Sequence, residues 1–138
     1  MKSIAKIVSA LFLVLAAAAV SAQEKVVYHF DSSTEQATRG LRSINNHLEI
    51  DPKAKIIAVT FADGVDFLME GAKDRPGPFD ARVQDLMGRG VKFQVCEITL
   101  RNRKLKKDQF IIGVEFVPSG VVQITHLQQK EGYAYLKP

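Results

Sequence analysis

Cys96 is the single cysteine of the 138-residue chain, and its neighbours are those a reactive thiol would need. It ends an apolar-alternating run, Val91-Lys92-Phe93-Gln94-Val95, that reads as a strand. Glu97-Ile98-Thr99-Leu100 then leads into a helix expected over about Thr99 to Lys107. A thiol at a strand-to-helix junction meets the positive end of the helix dipole, which favours thiolate. Arg101, Arg103, Lys104, Lys106 and Lys107 follow, five cations within seven residues. Such a stretch could steer a sulfur oxyanion or an acidic partner towards Cys96. It could equally be a solvated helix face, screened beyond a Debye length of ~8 Å.

One thiolate is enough to accept a sulfane sulfur as a persulfide, whereas disulfide exchange needs a resolving thiol. The chain has no Cys-x-x-Cys, which argues against a thioredoxin-type oxidoreductase. The bland alternative is a small buried hydrophobe at a strand end. The carboxyl ends of strands in open α/β sheets are where ligands bind, which favours the functional reading.

His29 closes the first apolar run, Lys25-Val26-Val27-Tyr28-His29-Phe30. If the first and third strands lie side by side, His29 comes near Cys96 and could hold the thiolate or shuttle a proton. The alternative is a core histidine bonded to backbone. His47 sits late in a helix, where the dipole favours a cation, and reads as structural. His126 lies on the last helix, exposed or at an interface. Three scattered histidines and one cysteine show no metal-ligand spacing, so no metal is expected. No cofactor is expected either: there is no Gly-rich phosphate loop, serine-hydrolase elbow or kinase signature. Ser119-Gly120 could hold a small anion on backbone amides, or simply cap a helix.

The first residues read as an export signal. Lys2 and Lys6 precede an apolar run from Ile7 to Val20, and Val20-Ser21-Ala22 supplies small residues for cleavage after Ala22. The run is shorter than the ~20 residues of a spanning helix, so no membrane association is expected after cleavage. The expected division is a signal peptide over 1–22 and one domain over 23–138, placing the protein in the periplasm or outside the cell. Without Lys2 and Lys6 the net charge of +4 falls to +2, which gives no footing for nucleic-acid binding.

The elements that must position these residues alternate. After the first strand, Ser32 and Ser33 are each followed three residues later by Glu35 and Gln36, a capping-box spacing. Ala37, Leu41, Ile44 and Leu48 form one stripe of a four-turn helix that Asp51-Pro52 ends. Lys55 to Phe61 is nearly continuous apolar sequence, as in a strand buried on both faces. Val65 to Glu70 reads as a short helix and Gly71 to Pro78 as a loop. Phe79, Val83, Leu86 and Met87 mark another helix, stopped by Gly88 or Gly90. Ile111 to Val117 is expected as a fourth strand, with helix through Phe110-Ile111-Ile112 as the alternative. A helix carrying Val121, Ile124 and Leu127 or Gln128 follows, then a last strand, Tyr133 to Leu136. Alternating strands and helices predict a single doubly wound, mostly parallel α/β sheet of five strands with helices on both faces.

This layout resembles the DsrE/DsrF-like family. The resemblance rests on Lys25-Val26-Val27-Tyr28-His29, Asn46-His47-Leu48, Gly90-Val91-Lys92-Phe93 leading to Val95-Cys96, Val117-Pro118-Ser119-Gly120-Val121, and Gln128 to Gly132-Tyr133-Ala134-Tyr135. It covers essentially all of 23–138. The resemblance implies a flavodoxin-like fold and homotrimers or homohexamers. It also implies, for some members, a sulfur carrier whose cysteine after a central strand matches Cys96. The partners would be a second copy of the chain and a sulfur donor or acceptor protein, or a small sulfur anion. Two rival readings stand beside it: a non-catalytic oligomeric interaction module, and a small-ligand binding protein using the cleft at the strand ends.

Overall fold

The computed structural model describes residues 22–138. Apart from Ala22, the expected signal peptide lies outside the described residues. Among them, no helix is long and apolar enough to cross a membrane.

The main sheet contains β1 (Lys25–Phe30), β2 (Lys55–Thr60), β5 (Lys92–Cys96), β6 (Glu115–Val117) and β7 (Ala134–Leu136), in the order β6-β5-β2-β1-β7. All four pairings are parallel. The helices are α1 (Thr34–Ile50), α2 (Phe79–Gly88), α3 (Glu97–Arg103) and α4 (Gly120–Glu131). A 3₁₀ helix, Ala62–Leu68, follows β2, and a second, Lys107–Gln109, precedes β6.

Sheet order and crossover hand decide where the helices pack. From β1 through β2 and β5 to β6 the chain steps one way across the sheet. The step to β7 reverses past β1, and crossovers of a constant hand then put the last helix on the opposite face. The core divides accordingly. Val26, Tyr28, Phe30, Ile56, Ala58, Phe93 and Val95 meet α1, α2, the first 3₁₀ helix and Leu100 of α3. The alternate residues Val27, Ile57 and Val59 meet Ile124 and Leu127 of α4, with Tyr133. Burial on both faces is why β1 and β2 are continuous apolar runs.

The stripe Ala37-Leu41-Ile44-Leu48 is buried as expected, and Asp51 caps α1 by donating its N–H to the His47 carbonyl. The capping box is not formed. Ser33 is the N-cap with no side-chain capping bond, and Gln36 turns inward instead, its Oε1 accepting from the N–H groups of Asp31 and Ser32. That exchange buries Gln36 beneath the β1–α1 turn.

Other expectations change as well, among them the short helix expected over Val65 to Glu70, which is the 3₁₀ helix Ala62–Leu68. The loop at 71–78 contains a short antiparallel hairpin, β3 (Lys73–Asp74) and β4 (Gly77–Pro78), clamped by Arg82 on both oxygens of Asp74 at 3.0 and 2.7 Å. The fourth strand is only Glu115–Val117. Ile111 is used earlier, its N–H donating to the Leu68 carbonyl, and Gly113 turns the chain at φ +100°. The helix after Cys96 starts at Glu97 and ends at Arg103, because Lys104 is left-handed at φ +55°. On α4, Val121 faces solvent, so the buried stripe is Ile124 and Leu127.

Candidate functional site

β5 places Cys96 at the carboxyl edge of the sheet, as its N-terminal run predicts, and Cys96 is itself the residue that precedes α3. Strand alternation turns Phe93 and Val95 into the large core and aims Cys96 at the opposite face, where α4 begins. The approach of α4 is close. A Cβ at Gly120 would stand 3.3 Å from the Cys96 Cβ and 2.7 Å from the Phe61 ring, so only glycine fits there. Ser119 caps α4, its Oγ accepting from the Val122 N–H at 3.4 Å.

Two helix N-termini therefore converge on one sulfur. Burial raises the Cys96 thiol pKa, but stabilising groups outweigh it. They are the backbone N–H groups of Gly120, Thr99 and Ile98 and the Thr99 hydroxyl, and together they hold the thiol below its ordinary value. Thr99 Oγ1 accepts from the Ala62 N–H at 2.9 Å, which leaves its own proton free to point at the sulfur. Cys96 is only 4% exposed. It is a buried thiol whose surroundings are arranged for an anion. Thr99 and Gly120 were not singled out by sequence reasoning as partners of the thiol, since their proximity depends on where β2 and α4 end.

The condition that would have brought His29 to Cys96 is not met, because β2 lies between β1 and β5. Two strand spacings of about 4.8 Å separate their backbones. His29 belongs to a different group. Its Nδ1 shares a 2.6 Å hydrogen bond with the Tyr135 hydroxyl, its Nε2 lies 3.6 Å from Asp31, and its ring packs on Phe61. Burial lowers the His29 pKa; Asp31 pulls upward and Lys137 downward, so the ring is neutral at pH 7. Lys137 bonds Asp31 at 2.6 Å and ties the end of the chain to β1. His126 is half-exposed and pairs with Glu131 at 3.1 Å.

The basic stretch is not aimed at the thiol either. Arg101 and Arg103 lie in the last turn of α3, at the end away from Cys96. Five and seven residues at 1.5 Å each put them about 8 and 10 Å along the helix axis, near a Debye length. Arg103 is engaged by Asp66 at 2.7 Å and Lys107 by Glu97 at 2.6 Å. Glu97, Leu100, Arg101, Lys104, Leu105 and Lys107 line an open surface depression of about 450 Å³, which Cys96 does not line.

Comparison with known proteins matches residues 8–138 to the model of the DsrE/DsrF-like family. Among solved structures, the chain resembles a protein of unknown function, MTH1491, from Methanobacterium thermoautotrophicum. The identity is 29% and the TM-score 0.73, over 84% of this chain and 100% of that one. It also resembles the ychN protein from E. coli, at 18% identity and TM-score 0.68 over 84% of this chain and 99% of that one. The protein BT1422 of unknown function from Bacteroides thetaiotaomicron is similar at 15% identity and TM-score 0.62, over 87% and 99%. The last two similarities speak for the fold alone. No curated protein matches the chain.

Proposed function

The chain belongs to the DsrE/DsrF-like family, and we propose that it is an exported member that carries a sulfur group on Cys96. The observation that supports this reading is the place of Cys96, the N-cap of α3 with the start of α4 packed against it, where the N–H groups of Gly120, Thr99 and Ile98 and the Thr99 hydroxyl favour an anion. The Cys96 thiolate attacks the outer sulfur of a donor persulfide. A new S–S bond forms at Cys96, the donor's S–S bond breaks, and the donor leaves as a thiolate. Nothing is oxidised or reduced overall, so no cofactor is required. The same N–H groups that stabilise the thiolate would stabilise the outer sulfur of the bound persulfide. Burial of Cys96, at 4% exposure, shields such a group from water.

The test is mass spectrometry on protein taken from the periplasm without reductant. The intact chain is expected to begin at Gln23, and a fraction is expected to be heavier by whole sulfur atoms, removable by dithiothreitol. Cys96→Ser should remove the adduct and leave the fold intact, since the two side chains are nearly the same size. A Cys96→Ser protein that still carries the sulfur would refute the assignment.

The second reading is an oligomeric interaction module, and one observation favours it. Ile98, Val121 and Val122 are 40%, 60% and 65% exposed on the first turns of the two helices that flank Cys96. A second copy of the chain packed there, as in a trimer or hexamer, would cover them. The two readings are compatible, since an interface at this edge would also control access to the sulfur.

A further inference from the structure

At the opposite edge of the sheet, where the strands begin, Glu24, His47 and Asp51 each offer a ligand atom, and these atoms lie within 4.8 Å of one another. Glu24 directly precedes β1, His47 is in the last turn of α1, and Asp51 is that helix's C-cap. We propose that these three residues form a site for a borderline divalent transition ion of the Zn²⁺ class.

Three features carry this. The first is the orientation of the imidazole. His47 Nδ1 lies 3.2 Å from the hydroxyl of Tyr28, a residue 97% buried by its 3% exposure. The Tyr28 hydroxyl can accept the Nδ1 proton. The Nε2 lone pair then faces the carboxylates, as it does when a metal-bound histidine is held by a partner on its other nitrogen. The second feature is distance. Nε2 stands 3.7 Å from Glu24 Oε2, too far for a hydrogen bond. Two ligand atoms on one tetrahedral zinc, each about 2.1 Å from it, are roughly 3.4 Å apart. Glu24 is largely exposed and free to rotate over the few tenths of an ångström that this pair requires, and the separations to Asp51 lie within 4.8 Å. The third is charge. Two carboxylates and the carbonyl end of a helix surround one nitrogen lone pair, and a cation relieves that arrangement. An imidazole among the ligands favours Zn²⁺ or Cu²⁺ over Mg²⁺ or Ca²⁺. Three protein ligands leave a fourth position for water. The bound ion would tie the start of β1 to the end of α1.

The spacing hides this site from sequence inspection. His47 and Asp51 are four apart on one helix, but Glu24 joins them only through the fold. A search restricted to histidines and the cysteine passes over both carboxylates.

The test uses untagged, chelator-stripped protein, dialysed against zinc and assayed for bound metal and melting temperature. One zinc per chain and a raised melting temperature are expected, with no response to Mg²⁺. His47→Gln is expected to weaken zinc binding more than tenfold and abolish the thermal shift. Asp51→Asn, which keeps an oxygen to accept from the Lys53 N–H, should weaken it as well and decides the matter if His47→Gln misfolds. Tyr28→Phe should keep the stoichiometry with an affinity about tenfold lower, the usual effect of removing an outer-shell partner. No bound zinc at micromolar concentration would overturn the proposal. So would zinc retained by both His47→Gln and Asp51→Asn, or zinc lost in Cys96→Ser, which would place it on the thiolate.

Discussion

Phe67→Ala is expected to lower the free energy of unfolding by about 4 kcal/mol, a large part of the 5–15 kcal/mol typical of a domain. Phe67 is 1% exposed and stands at the centre of an aromatic cluster. Its ring centroid lies 5.1 Å from Phe30, 5.7 Å from Phe79 and 6.2 Å from Phe93. Those three come from β1, α2 and β5, so one side chain joins three elements. Truncation removes the contacts and leaves a cavity that four separate segments would have to close. Urea unfolding measures the loss; a change under about 1 kcal/mol would mean that the rings do not pack this way. The effect should reach the thiol. Phe67 anchors the 3₁₀ helix whose first residue, Ala62, donates to Thr99, and Phe61 just before it lies against Gly120. Loosening that segment loosens two of the groups around Cys96. Faster alkylation of Cys96 at fixed pH should therefore accompany the loss of stability.

The readability of this fold follows the range of the interactions that set each part. The α1 stripe and the α2 positions Phe79, Val83 and Leu86 are local patterns, and they appear where periodicity puts them. Cys96 at a strand end facing a helix start is also a local feature, visible in ten residues of sequence. Strand order is not local. Whether His29 meets Cys96 depends on β2 inserting between their strands, and nothing in either segment encodes that. The segment 110–114 misleads for a related reason. Phe110 and Ile111 are β-prone, yet they spend their apolar surface on the large core beside Leu68 and Met69, and the ladder with β5 begins only at Glu115. Val121 misleads in the opposite sense. It fits the α4 period, but among the described residues only α4 covers that face. The polar side chains Gln94, Glu115 and Gln123 bond one another here, and Val121 is left facing solvent.

Thr99→Val and Gly120→Ala are expected to make Cys96 a weaker acid, and the pH dependence separates a tuned thiol from a merely buried one. The folded protein holds the Cys96 pKa below its ordinary value, whereas the unfolded chain has the ~8.5 of a free cysteine. Above ~8.5 both states are ionised, and the full stabilisation of the thiolate is present. As pH falls from ~8.5 towards the folded value, the unfolded chain takes up the proton first, and stability is lost progressively. The native protein should thus become more stable with rising pH across that window, and Cys96→Ser should remove this slope. Thr99→Val deletes the hydroxyl donor and leaves the Ala62 N–H without its acceptor. A hydrogen bond to a charged group is worth at least ~1.5 kcal/mol, so about tenfold less thiolate is expected at neutral pH. Gly120→Ala acts through position. Its methyl, at 2.7 Å from Phe61 and 3.3 Å from the Cys96 Cβ, must push the start of α4 away and take the Gly120 N–H from the sulfur. Alkylation rates followed against pH, native and urea-unfolded, read both changes. A native midpoint at or above that of the unfolded chain would sink the reactive-thiol reading. Variants whose midpoints match the parent's would show that Thr99 and Gly120 do not stabilise the thiolate. Because both groups act on one sulfur, and Phe61 against Gly120 directly precedes the Ala62 that donates to Thr99, the two substitutions should couple rather than add, which a double-mutant cycle reads.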